Sequence, residues 1–194
     1  MDERFSQIEP ANPPVFQIEP NNLTNNLTQQ SYLCWAPFIY SGPLAIAIRK
    51  MKYRGNIQMC FQLAQMLAQN ITIPAAECVV PVPLHKNRLQ HRGFNQSWIF
   101  AQVLAQQNAL KCTASLFTRI KDTLPQASLN ASERRSNLKH VMQLKKSTPR
   151  LTSVLVVDDV LTTGATLEAA FQCLKQQGVS QVWGAVLART PTPQ

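Results

Sequence analysis

Apolar residues recur along this chain at two spacings, one typical of buried strands and one typical of amphipathic helices. Continuous apolar runs predict strands, at 32–40, 78–82, 116–120, 153–157 and 182–188. Helical spacing predicts helices, at 43–52, 56–69, 95–107, 132–140 and 165–177, the fourth being a short turn. Strands that alternate with helices indicate an α/β fold with a doubly wound, mostly parallel sheet flanked by helices.

Capping residues fix several of these boundaries. Pro43 stands where a helix tolerates proline, in the first turn. Asn95 is a good N-cap for the helix that follows it, and Gly178 is a typical stop after the helix at 165–177.

Residues 1–31 form a polar segment that differs from the rest of the chain. The segment is rich in Asn, Gln, Pro and Thr, and it repeats the tetrapeptides QIEP and NNLT. Such a composition buries too little apolar surface to offset the conformational entropy of ordering. We therefore expect a disordered leader at 1–31 and one domain at 32–194.

The charge is unevenly distributed. After residue 33 the chain carries 18 basic and 6 acidic residues, a net charge of +12. This excess favours a polyanionic partner, either the phosphates of a small ligand or a nucleic-acid backbone, and the alternative is a cationic, well-solvated surface. The five cysteines are widely spaced with no C-x-x-C pair, so we expect no zinc site and no disulfide. No apolar run is long enough for membrane insertion and no signal sequence follows Met1, so we expect a cytoplasmic protein.

The run VLVVDDVLTTGAT at residues 154–166 carries the clearest chemistry. A buried strand ends in Asp158 and Asp159, and a hydroxyl-bearing loop then opens directly into a helix. A helix N-terminus suits a phosphate, and adjacent carboxylates suit ribose hydroxyls, directly or through hydrated Mg²⁺. The phosphate loop comprises Thr162, Thr163, Gly164, Ala165 and Thr166. The competing interpretation is an Asp-rich turn whose threonines only cap the helix.

Basic residues follow two other strands and are candidates for a diphosphate or nucleic-acid contact. They are Lys86, Arg88, Arg92, Arg119, Lys121 and Arg135. The first three lie in a segment that we interpret as a loop, and the last three border a long polar stretch typical of a mobile lid. His85 and His91 have suitable chemistry for proton transfer, but a hydrogen-bonded scaffold role is the stronger interpretation.

Residues 154–166 resemble the thirteen-residue motif with which type I phosphoribosyltransferases bind phosphoribosyl diphosphate (PRPP). The resemblance implies that Asp158 and Asp159 are the catalytic carboxylates, which bind the ribose hydroxyls and hold Mg²⁺, directly or through water. It also implies that residues 162–166 wrap the 5-phosphate.

The segments PVPLH at 81–85 and RGFNQ at 92–96, with Lys52 and Tyr53 upstream, resemble the ComF family. ComF proteins are associated with DNA uptake in natural transformation, and many begin with a four-cysteine zinc module, of which only Cys34 stands in that region here. The resemblance implies a ribose-phosphate site in a DNA-uptake protein, with single-stranded DNA and competence proteins such as a helicase as partners. The alternative is an active phosphoribosyltransferase, or a PRPP sensor, with no DNA role.

Overall fold

The structure, a computed structural model, describes residues 8–12, 14–18, 31–114, 116–119, 142–144 and 150–191. The strands are β1 (Val15–Ile18), β2 (Tyr32–Trp35), β3 (Phe38–Ile39), β4 (Cys78–Pro81), β5 (Lys111–Cys112), β6 (Phe117–Arg119), β7 (Met142–Leu144), β8 (Ser153–Leu161) and β9 (Gln181–Arg189). The helices are α1 (Gly42–Arg54), α2 (Ile57–Gln69), α3 (Lys86–Arg92), α4 (Gln96–Gln107) and α5 (Ala165–Gln176).

The main sheet has the strand order β1-β2-β9-β8-β4-β5, and β3 also pairs with β9. Strand β1 pairs antiparallel with β2, whereas β2, β3, β4, β5, β8 and β9 pair in parallel. This confirms the predicted doubly wound, mostly parallel α/β sheet.

Helices cover both faces of the sheet. Alternation along β8 sends Leu155 and Val157 into a core shared with α1, α2 and α4. Val154 and Val156 enter the opposite core, which α5 covers. None of the helices in the described ranges is long and apolar enough to span a bilayer.

The predicted caps are confirmed. The Asn95 side chain accepts a hydrogen bond from the Ser97 N–H at the start of α4, and it donates to the Val82 carbonyl at 3.0 Å. Gly178 follows the end of α5 with a φ of 84°, a left-handed conformation that ends a helix at little cost for glycine. The five cysteines are all free, and Cys34, Cys60 and Cys78 are buried.

The leader prediction is wrong for residues 15–18. This segment forms β1, which pairs with β2 over four residues, and Ile18 is buried. The open edge of β2 offers backbone hydrogen bonds that composition alone does not reveal. Most of the remaining leader, and the helical turn expected at 132–140, lie outside the described residues.

The strand expected at 116–120 exists as β6, but it does not join the main sheet. It pairs antiparallel with β7 as a two-stranded ribbon. Phe117 and Met142 from this ribbon are buried in the α5 core, and the Cys173 thiol contacts the Met142 carbonyl at 3.3 Å. The ribbon therefore packs against the α5 side of the domain.

Candidate functional site

Strand β8 carries the two carboxylates of the predicted motif. The strand continues to Leu161, so Asp158 and Asp159 lie within it rather than after it. Both carboxylates contact helices that cover the same face of the sheet, Asp159 through Lys52 of α1 and Asp158 through Ser97 of α4. The adjacent carboxylates therefore have different surroundings.

Asp158 is held by hydrogen bonds to one oxygen. The Ser97 hydroxyl donates to Oδ1 at 2.8 Å, and the Asp159 N–H donates to the same atom at 2.9 Å. Burial, followed by the neighbouring Asp159 carboxylate, raises the pKa of Asp158 to about 6 despite these hydrogen bonds. An approaching cation or hydroxyl donor would relieve this unfavourable charge.

Asp159 is paired with a lysine from helix α1. The Lys52 Nζ lies 2.7 Å from Oδ2, and the Val160 N–H donates to Oδ1 at 2.8 Å. Oδ2 accepts no hydrogen bond of good geometry from the described residues, so the ammonium charge is its main compensation. Burial works to lower the pKa of Lys52, but the charge and hydrogen bond of Asp159, together with the charge of Asp158, raise it overall.

A small pocket of about 40 Å³ opens where β8 meets α5. Residues 160–167 and Asp158 line it. Gly164 caps α5 with a φ of 78°, and its carbonyl accepts the Glu168 N–H at 2.9 Å. The pocket thus places threonine hydroxyls beside the N-terminus of a twelve-residue helix. Polar groups and a helix N-terminus in this arrangement can bind one phosphate.

A larger cavity of about 260 Å³ adjoins this phosphate pocket. Asp158, Val160, Thr162 and Thr166 border both spaces, and Asp159 borders only the larger one. Three cationic side chains line the larger cavity: Lys52, Arg88 and Arg92. Within the described residues, no cationic side chain lines the phosphate pocket. We call the larger space the basic cavity.

The expected loop at 85–92 is instead the short helix α3. His85 caps it, its Nδ1 accepting from the Asn87 N–H at 3.3 Å, and Gly93 ends it with a φ of 81°. None of its residues is buried, so the sequence contains no apolar stripe that would predict this helix. The capping contact supports a scaffold role for His85.

Arg92 is a partly buried guanidinium beside the carboxylates. Burial lowers its pKa, and Arg88 adds a like charge in the same direction, whereas Asp159 favours the charged form. Arg92 donates a short hydrogen bond to the Gln96 side chain, which also lines the basic cavity. Two neighbouring guanidiniums provide a site that an anion would stabilise.

The structure gathers most of the predicted site residues. Arg88, Arg92, both carboxylates and residues 162–166 lie around the two connected spaces. Lys86 is exposed on α3 and lines neither space. Arg119 ends β6, and its side chain is outside the description, as are Lys121 and Arg135 entirely.

The prediction from sequence missed four further residues of the site or gave them no role. Lys52 and Ser97 contact the carboxylates, and Tyr40 and Gln96 line the basic cavity. Their sequence signals are weak, because Lys52 and Tyr40 precede β8 by more than one hundred residues.

Comparison with known families gives the class of the protein. The family model for the phosphoribosyl transferase domain matches residues 95–194, just over half of the chain. Competence protein F of Haemophilus influenzae is 33% identical over 162 residues, covering 77% of this chain and 70% of that protein. The DNA utilization protein YhgH of Salmonella typhi is 32% identical over 158 residues, covering 78% and 69%. The chain therefore belongs to the ComF family of phosphoribosyl transferase domain proteins.

Solved structures show a more distant likeness. The allosteric regulatory enzyme of purine biosynthesis is 17% identical with a TM-score of 0.45, and the match covers 66% of this chain and 25% of that one.

Proposed function

We propose that this protein binds PRPP, with its 5-phosphate in the phosphate pocket and its diphosphate in the basic cavity. The observation that carries the proposal is the pair of connected spaces that share Asp158. PRPP has the same order of groups, with a ribose between a 5-phosphate and a diphosphate. Asp158 would then meet the ribose hydroxyls between the two phosphate groups.

The charges of the basic cavity support a diphosphate rather than a single phosphate. Lys52, Arg88 and Arg92 bring three positive charges, and Asp158 and Asp159 bring two negative charges. The phosphate pocket relies instead on hydroxyls and helix N–H groups. The more highly charged end of PRPP would thus lie where the cations are.

The carboxylates fit one Mg²⁺ better than a metal cage made of protein alone. Both hydrogen bonds to Asp158 fall on Oδ1, so Oδ2 would meet a ligand, and Asp159 already has Lys52 as its counter-ion. Mg²⁺ usually keeps several waters and takes one or two carboxylates plus substrate phosphates. Asp158 would hold it, directly or through water, and the ion would supply charge neutralisation to the diphosphate.

The same arrangement suits phosphoribosyl transfer. Breaking the bond between ribose C1 and the diphosphate leaves an oxocarbenium-like centre, and an acceptor then forms a new bond at C1. Lys52, Arg88 and Arg92 would stabilise the departing diphosphate, so no protein nucleophile is needed. Glycosyltransferase activity is therefore part of this proposal, with the acceptor left to experiment.

Titration calorimetry with PRPP at saturating Mg²⁺ tests the binding proposal. We expect saturable binding at one site, weakened about tenfold to a hundredfold in Asp158→Asn because a charged hydrogen-bond acceptor is lost. Lys86→Ala is the matched control, since this exposed cation lines neither space. Absence of binding by the wild-type protein would refute the proposal.

A role in DNA uptake is the second part of the proposed function. The relatives named competence protein F and DNA utilization protein support it, as does a strongly basic stretch. Residues 41–110 contain one acid, Glu77, against seven bases: Arg49, Lys50, Lys52, Arg54, Lys86, Arg88 and Arg92. Single-stranded DNA is a polyanion that such a surface would attract.

A transformation assay separates these functions. We expect deletion of the gene to reduce transformation and wild-type rescue to restore it. Rescue by Asp158→Asn should fail if the ribose-phosphate site serves DNA uptake. Full rescue by this variant would show that DNA uptake does not require the PRPP site. A variant that loses PRPP binding but still supports transformation would therefore favour a metabolic enzyme or sensor.

A further inference from the structure

We propose that the adjacent carboxylates have different tasks: Asp158 faces the bound ribose phosphate, whereas Asp159 positions Lys52 as a cation for the diphosphate. This inference rests on the proposed PRPP site and adds a residue from α1 to it. The sequence motif alone gives both carboxylates the same ligands.

The first evidence is the internal bonding of Asp159. Its Oδ1 accepts the Val160 N–H and its Oδ2 contacts the Lys52 ammonium, while the side chain is only 5% exposed. Asp158 borders both spaces, but Asp159 borders only the basic cavity. A ribose between the two phosphate groups would therefore meet Asp158, and Asp159 would act through Lys52.

The second evidence is the placement of Lys52. Its side chain is 25% exposed and lines the basic cavity together with Arg88 and Arg92. An ammonium group has three hydrogens, so contact with Asp159 leaves donors for phosphate oxygens. Lys52 can therefore bridge Asp159 and a diphosphate.

The third evidence is the packing of α1 against α3. Gly55 ends α1 with a φ of 60°, and a Cβ added there would lie 3.7 Å from the Arg92 carbonyl. The last turn of α1 thus lies against the end of the helix that carries both arginines. The packing of α1 against α3 brings all three cations to the lining of the same cavity.

Separate halves of PRPP distinguish this role from that of a structural counter-ion. Inorganic pyrophosphate probes the basic cavity, and ribose 5-phosphate probes the phosphate pocket with Asp158. A lysine that only stabilises folding would affect both probes alike. A lysine that contacts the diphosphate would affect pyrophosphate selectively.

The experiment measures the affinity of both probes, and of PRPP, by calorimetry with Mg²⁺ present. We expect Lys52→Met to weaken pyrophosphate about tenfold or more, as for loss of a charge-assisted contact, with Lys52→Arg restoring part of the affinity. The affinity for ribose 5-phosphate should change less than about twofold. This is well below the change of roughly tenfold or more that is expected when a ligand contact is lost. Thr163→Val in the phosphate pocket should show the reverse selectivity.

A second pair of variants tests the asymmetry of the carboxylates. Asp159→Asn should retain ribose 5-phosphate binding, whereas Asp158→Asn should lose it. If Lys52→Met fails to fold, the double variant Lys52→Met/Asp159→Asn removes both buried charges together and should fold, since replacing a whole pair is tolerated better than breaking it. It should then bind ribose 5-phosphate but not pyrophosphate.

Three results would overturn the inference. A lysine variant could lose affinity for both probes equally, or keep its affinity for pyrophosphate. Alternatively, Asp158→Asn and Asp159→Asn could lose affinity for ribose 5-phosphate equally. The inference would also be overturned if the wild-type protein bound PRPP but did not bind inorganic pyrophosphate. If the wild-type protein binds no PRPP, the proposed function itself fails. The two failures are therefore distinguishable.

Discussion

Replacing Asp158 with asparagine should stabilise the fold while it weakens the proposed ligand binding, because the charge that would serve the ligand is unfavourable in the free protein. Burial and the Asp159 carboxylate raise the pKa of Asp158 from its ordinary 3.8 to about 6. Asparagine keeps an oxygen that can accept from the Ser97 hydroxyl and the Asp159 N–H. The substitution therefore removes the charge with little change in shape or hydrogen bonding.

The magnitude follows from linkage between protonation and folding. The pKa difference corresponds to about 3 kcal/mol at roughly 1.4 kcal/mol per pH unit. This is an upper figure, because the same substitution removes an attractive neighbour of Lys52. Well below pH 3.8 Asp158 is protonated in both states and costs nothing. Its cost grows as pH rises from about 4 to 6 and stays constant above about 7.

Urea denaturation of wild type and Asp158→Asn at pH 5 and pH 8 tests this reasoning. The variant should be more stable at both values, with the larger gain at pH 8. Glu77→Gln is a control of opposite sign, because hydrogen bonds from Thr152 lower the pKa of Glu77, so its stabilising effect is present at neutral pH and is lost as pH falls. A less stable Asp158→Asn protein at pH 8, or a gain independent of pH, would refute the account.

Three further predictions concern the scaffold. Gly184→Ala should lower the free energy of unfolding by about 1–3 kcal/mol in urea denaturation, because the new Cβ would lie 2.8 Å from the Cys34 Sγ; Cys34→Ala should partly rescue it. Asn95→Ala should cost about 1 kcal/mol or more in the same assay, since it removes an N-cap and the contact with the Val82 carbonyl. Burial raises the pKa of Cys60 to about 12, so mass spectrometry after iodoacetamide treatment at pH 8 should find it unlabelled until urea unfolds the protein.

Local sequence rules succeeded where one segment determined its own structure. The apolar runs of β8 and β9 and the caps of α4 and α5 are visible in the sequence, and the structure confirms them. The same rules placed the carboxylates and the phosphate loop at one edge of the sheet. A strand followed by a helix fixes that geometry over a few residues.

The same rules failed where a distant segment supplied the reason for the structure. The β1 strand exists because β2 has an open edge, and α3 exists through its two capping residues, without a buried apolar face. The partner of Asp159 lies 107 positions earlier in the chain, at Lys52, and no local pattern links these residues. Tertiary packing decides such contacts, and a single sequence gives little indication of it.

The division of the site along the chain has a consequence for specificity. The carboxylates and phosphate loop lie within the matched domain at 95–194, whereas Lys52, Arg88 and Arg92 precede it. Under the proposed function, the matched part alone would recognise one phosphate and a ribose, groups that PRPP shares with many nucleotides. The earlier segment supplies the cations that would distinguish a diphosphate. Substitutions in α1 and α3 should therefore change which phosphate ligand is preferred, whereas substitutions in residues 162–166 should weaken all ribose 5-phosphates alike.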